Sequence, residues 1–157
     1  MSKAFTRESD DAEEIPVIRS QLPPGTRNYV TREGADRLRQ RLNELIARKQ
    51  ASSDAEQRKL ESAIRNLQLT LNTVVVAELP ADREKVAFGA AVTVRHANGE
   101  EETYRTVGVE EADPENGAIS WLSPLARALM SRRAGEKTRF KSPAGEEELT
   151  IVKVAYD

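Results

Sequence analysis

Cysteine is absent from all 157 residues, which excludes disulfides, zinc–thiolate sites and thiol catalysis and suits a reducing compartment. Histidine occurs once, as His96, so neither a Ser-His-Asp system nor a multi-histidine metal site is available. Three Phe, three Tyr and one Trp are too few for the stacking platforms that grip bare nucleic acid. No apolar run is long enough to span a bilayer, and the N-terminal "MSKAFTRESDDAEE" lacks the apolar centre of a secretory signal. The expected location is therefore cytoplasmic, with no membrane partner. Nor is there a large excess of one charge. The net charge of −2 makes the whole molecule no electrostatic DNA binder.

What is present is a chain of 38% hydrophobic and 32% charged residues, enough for one ordinary domain or two small ones. Residues 29–79 carry nine basic and seven acidic side chains, and residues 80–157 carry eleven and fourteen, so the two parts differ in sign. Residues 1–28 read as a disordered tail: an acidic run is mixed with Pro16, Pro23, Pro24 and Gly25, without periodicity. Ile15, Val17, Ile18 and Leu22 are its candidates for docking on the body.

From Thr31, a suitable N-cap, apolar residues recur at Ala35, Leu38, Leu42 and Leu45, a narrow helical seam. A second seam follows the polar "QASS" and runs Leu60, Ile64, Leu67, Leu71, Val74. Neither could bury its seam alone, so residues 29–79 are expected to form an antiparallel coiled-coil helical hairpin. After "AELPADREK" the period becomes two. "AAVTVRHANGEEETYRTVGV" holds two alternating runs around the Asn98-Gly99 turn signal. "AISWL" reads as a short strand. "SPLARALMSRR" reads as a short helix with Ser123 as N-cap, Pro124 first and an end near Gly135. "KTRFKSPAGEEELTIVKVAYD" closes the chain as another hairpin. The expected class is α+β, a helical hairpin followed by a small antiparallel sheet with one short helix.

The stretches "TREGADRLRQRL", "VAFGAAVTV", "YRTVGVEEAD", "ISWLSPLARALM" and "SPAGEEELTIVKVAYD" together resemble the GreA/GreB family of bacterial transcription elongation factors. The resemblance covers most of 29–157 and is densest over 86–157. It implies a C-terminal domain of FKBP-like fold over 80–157, with bacterial RNA polymerase as the partner and contact with nascent RNA and DNA only through the elongation complex. It also implies that the C-terminal domain holds the rim of the polymerase's nucleotide-entry (secondary) channel while the hairpin reaches inward. There, acidic tip residues help hold a second Mg²⁺ for the polymerase's own RNA cleavage, two-metal chemistry with one set of ligands supplied in trans. The chain itself is then no enzyme and carries no cofactor of its own. The seams could also pair between chains, but the short loop favours closure within one, so a monomer is expected.

The family tip resembles D-x-x-E-N-A-x-Y on a hairpin several turns longer. Here the turn reads "SSDAEQRK", in which Asp54 matches only loosely and the Asn and Tyr have no counterpart. Asp54 and Glu56 are the candidate tip carboxylates. Ser53 with Glu56 forms a capping-box pattern, so helix initiation accounts for both acids without a metal. Residues two apart on a helix share no face, and Arg48, Lys49, Arg58 and Lys59 crowd the same turns. A short-hairpin, somewhat Rnk-like family member with weak or absent cleavage stimulation is the first expectation. A true cleavage stimulator using Asp54 and Glu56 is the second, and an interaction module unrelated to transcription the third.

Arg37, Arg41, Arg48 and Lys49 are candidates for facing the channel or RNA, or are a solvated helix face. Ser123, Pro124, Leu125, Ala126 and Arg127 match the family segment associated with the polymerase rim, with Leu122 where relatives carry Asn or Asp. Trp121 beside them reads as a core or rim anchor. His96 and the "EEE" runs at 100–102 and 146–148 read as exposed strand ends, not metal sites.

Overall fold

The computed structural model describes residues 22–156. Most of the expected tail, residues 1–21, lies outside that range, as do Ile15, Val17 and Ile18. Residues 23–26 form a turn closed by a Thr26 N–H to Pro23 O bond of 3.1 Å. Asn28 is not tail: it opens a short strand, β1 (Asn28–Val30).

Helix α1 (Arg32–Gln50) starts where Thr31 accepts the Gly34 amide at 3.0 Å, so its N-cap acts as its residue type predicts. Residues 51–53 turn the chain into α2 (Asp54–Thr73). At 19 and 20 residues, the helices are each about 28–30 Å long. They pack along the two seams: Leu38, Leu45, Leu60 and Leu67 are buried, with Leu42 and Leu71 partly so. Val74, the expected last seam residue, does pack against this core, but its backbone begins strand β2 (Val74–Val76), which pairs in parallel with β1. Thr73 ends α2, and the run of three β-branched valines prefers extended backbone.

The rest is a five-stranded sheet: β3 (Ala91–Arg95), β4 (Glu101–Val107), β5 (Ala118–Ser120), β6 (Lys137–Ser142) and β7 (Gly145–Ala155), in the order β5-β4-β3-β7-β6. The Asn98-Gly99 hairpin joins β3 to β4, and residues 143–144 join β6 to β7. The expected all-antiparallel sheet needs one correction, because β5 runs parallel to β4. Two 3-10 turns, at 109–111 and 114–116, carry the chain back so that β5 starts beside Arg105.

The short helix α3 (Pro124–Leu129) is capped by Ser123, whose hydroxyl accepts the Ala126 amide at 3.2 Å. It ends well before Gly135, contrary to the sequence expectation. Ser131 turns into the left-handed region (φ 66°) and its amide bonds Val86 O at 2.8 Å, which pulls the chain off the helix. α3 and the sheet enclose a core built around Val92, Val94, Leu129, Leu149 and Ile151.

The helical pair is fastened to this body at its root. Glu111, in the first 3-10 turn, accepts the Thr31 amide at 2.9 Å and the Gly108 amide at 2.8 Å, and receives the Thr31 hydroxyl as well. Tyr29 of β1 packs with Phe88 and Trp121 at ring-centroid separations of 6.0 and 5.5 Å.

Candidate functional site

At the tip, Gln57 closes the turn by donating to Ser52 O at 3.1 Å and Lys49 O at 3.2 Å. The expected capping box does not form. Ser53 makes no side-chain cap bond among the described residues, while its carbonyl accepts the Gln57 amide at 2.8 Å. Gln57 takes over the sealing role because its longer side chain spans the turn. Glu56 instead faces back to Arg48, with 3.9 Å between charged atoms, and Lys49 pairs with Glu61 at 3.2 Å. Asp54 and Glu56 stand two positions apart on α2, some 200° around its axis, so they do not converge. Among the described residues, no group of three or more His, Cys, Asp or Glu is placed to hold a metal ion.

Of the candidate basic residues, Arg37, Arg41 and Arg48 are exposed and Lys49 is half-buried. Arg41 lies 3.8 Å from Glu44, so this face is partly neutralised along its length. Exposed pairs of this kind contribute only about 0–1 kcal/mol each.

Around α3 the expected residues separate by burial. Ala126 is fully buried beneath the helix and contributes no surface, and Leu125 packs partly against the core. Pro124 and Arg127 are exposed, and Ser123 and Trp121 half-buried. Next to them lies an open groove of about 640 Å³, lined by Tyr29, Phe88, Trp121, Leu122, Arg127 and Met130. The indole N–H of Trp121 is buried and has no acceptor among the described residues. Sequence reasoning found Trp121 but missed Tyr29, Phe88 and Met130. With Trp121 they come from three separate stretches, and no periodicity links residues that only tertiary packing brings together.

His96 is not the exposed strand end that its position next to a turn suggests. Its ring is only 18% exposed, with Nδ1 bonded to the Glu147 carboxylate and Nε2 3.3 Å from Glu102. The hydrogen bond to Glu147 and its negative charge hold the imidazole above its ordinary pKa, with Glu102 adding to the effect. The Tyr104 hydroxyl donates to Glu102 and is foremost in holding that carboxyl below its usual range. Thus one residue from each "EEE" run is gathered onto the histidine, because β4 and β7 flank β3. Elsewhere, burial pushes the Glu110 carboxyl up.

The fold and these sites define a small α+β protein in which a pair of helices projects from a sheet body beside an aromatic-lined groove. Residues 80–156 match the family model for the C-terminal part of the GreA/GreB transcription elongation factors. GreB of Pseudomonas aeruginosa is 38% identical over 159 residues, covering 85% of this chain and 95% of that protein. GreB of Neisseria meningitidis serogroup A is 31% identical over 155 residues, with coverages of 83% and 95%. GreA of Chloroflexus aurantiacus is 38% identical over 150 residues, with coverages of 80% and 96%. The GreA factor homolog 1 of Thermus thermophilus superposes loosely, with TM-score 0.43 and 26% identity over 83% of this chain and 99% of that one. The chain belongs to the GreA/GreB family.

Proposed function

We propose that this protein is an RNA polymerase-binding transcription elongation factor that acts through the secondary channel with weak or absent stimulation of transcript cleavage. It has two working parts: a coiled-coil hairpin over 29–79, and an FKBP-like body over 80–157 that docks on the polymerase. The docking face is Trp121, Ser123, Pro124, Leu125 and Arg127 with the neighbouring groove, and Ala126 supports α3 from below. Arg37, Arg41, Arg48 and Lys49 face the channel wall or the RNA, whose charge they complement. The protein works as a cytoplasmic monomer.

The observation that carries the weak-cleavage reading is the tip. Glu56 is turned onto Arg48 and Asp54 lies on another face, so neither carboxylate is presented with its neighbour as a metal-gripping pair. Helices of 19 and 20 residues also give a limited reach. Occupying the channel without supplying a metal ligand blocks factors that do supply one.

The test is RNA cleavage in a backtracked elongation complex, with wild type and the Asp54→Ala/Glu56→Ala double variant in parallel. The expected result is no stimulation by either, with suppression of cleavage driven by an added GreA or GreB. Stimulation by wild type that the double variant loses would overturn the tip reading. Failure of the purified protein to co-elute with core RNA polymerase at low salt would overturn the whole proposal.

A further inference from the structure

We infer that Glu111 is a positioning residue that sets the direction in which the helical pair leaves the sheet body, and hence where the tip lies relative to the docking face. Its consequence for transcription rests on the function proposed above; its structural part does not.

Three donors converge on this one side chain. The Thr31 and Gly108 amides both bond Oε2, at 2.9 and 2.8 Å, and the Thr31 hydroxyl donates to Oε1. Thr31 is at the same time the N-cap of α1, through the Gly34 amide at 3.0 Å. A single carboxylate therefore grips the first turn of the helical pair and the turn that leads out of β4. Hydrogen bonds are directional, so three of them converging on one side chain fix an angle as well as a distance.

The approach is close at both glycines beside this contact. A Cβ added at Gly34 would lie 2.0 Å from Glu111 Oε1, and one at Gly108 would lie 2.2 Å from Tyr29 O. Only glycine lets the helix start and the turn approach so closely. Two further contacts across this junction are less directional. Arg105 and Glu33 pair at 3.4 Å with Glu33 exposed, and the contacts of Tyr29 with Phe88 and Trp121 are apolar. The leverage is large, since a 10° change at the root of a 19-residue helix moves its far end by about 5 Å.

The geometry distinguishes between variants. Because Oε2 takes both amides, the carbonyl of a glutamine can accept the same two bonds while its NH₂ donates to the Thr31 hydroxyl. Glu111→Gln should therefore keep the junction, and Glu111→Ala should lose it. Gly34→Ala should expel the carboxylate even though alanine is the better helix former.

The chain has no cysteine, so Ser53→Cys at the tip and Arg139→Cys on β6 give a unique pair of spin labels. Pulsed-EPR distance distributions are measured in the full chain, with helix content by circular dichroism in each variant. The expected result is one narrow distribution for wild type and Glu111→Gln, and broad ones for Glu111→Ala and Gly34→Ala at undiminished helix content. Gly34→Ala keeps the test open if Glu111→Ala folds poorly. Unchanged narrow distributions in both disruptive variants, or equal broadening in Glu111→Gln and Glu111→Ala, overturn the inference. With polymerase, Glu111→Ala should bind like wild type yet lose the suppression of cleavage. If wild type itself fails to bind, the proposed function falls while the distance result stands.

Discussion

At the root of the helical pair, one carboxylate collects three donors. At the tip, two carboxylates stand apart and one leans on an arginine. Both ends begin a helix with a hydroxyl residue, Thr31 for α1 and Ser53 for α2, yet only Thr31 uses its side chain as a cap. The difference lies in the surroundings. Thr31 is buried against a second element that supplies Glu111, whereas Ser53 is exposed and water can satisfy the free amides of α2. A capping pattern is thus used fully where burial makes an unpaired amide costly, and loosely where it does not. The root holds an orientation; the tip is a solvated, internally balanced end.

That contrast can be tested from the largest expected effect downward. Leu60 is 1% exposed near the tip end of α2, and Leu60→Ala should cost about 2–5 kcal/mol, read as loss of helical ellipticity on chemical denaturation. An effect below 1 kcal/mol would mean that the seam is loosely packed near the tip. Thr31→Ala removes a cap and one Glu111 partner and should cost about 1–2 kcal/mol, while Ser53→Ala should stay within about 0.5 kcal/mol. Equal losses at the two positions would erase the distinction between root and tip. Arg127→Glu reverses an exposed charge beside the groove and should weaken polymerase affinity roughly tenfold with little change in melting temperature. Glu56→Gln should shift stability by no more than about 0.5 kcal/mol, and only at low salt, as befits an exposed pair.

The smallest expected effect concerns pH. The folded His96 pKa is raised, so its contribution is complete below the ordinary histidine value of 6.5 and fades as pH rises through the folded value. The Glu102 pKa is lowered, so its contribution is present above 4.5 and fades in acid. Stability from this cluster should therefore peak between those two values, and His96→Asn should flatten the decline on the alkaline side. Melting curves against pH check this, and an identical decline in the variant would remove His96 as its cause.

Much of the fold was legible because its signals are local. The seams from Ala35 to Leu45 and from Leu60 to Leu71 appear as a pair of packed helices, and the turn at Asn98-Gly99 and the cap at Ser123 occur where expected. Two departures from the sequence pattern have a tertiary origin. Val74 continues a seam in the sequence but starts a strand because β1 is there to pair with it, and α3 stops early because Val86 offers an acceptor. The candidate residues near α3 were legible as a segment. Which of them face outward was not, since Ala126 lies beneath the helix and Arg127 above it.

By itself, the sequence determined the α+β class, the paired helices, the strand hairpins and the family, because periodicity, turn chemistry and local motifs act over a few residues. Tertiary structure alone decided the parallel placement of β5, the gathering of Glu102 and Glu147 on His96, the groove between Tyr29, Phe88 and Trp121, and the grip of Glu111 on Thr31. Each of these joins groups remote in the chain. Their hydrogen-bond and packing free energies exist only after folding has removed water from between them.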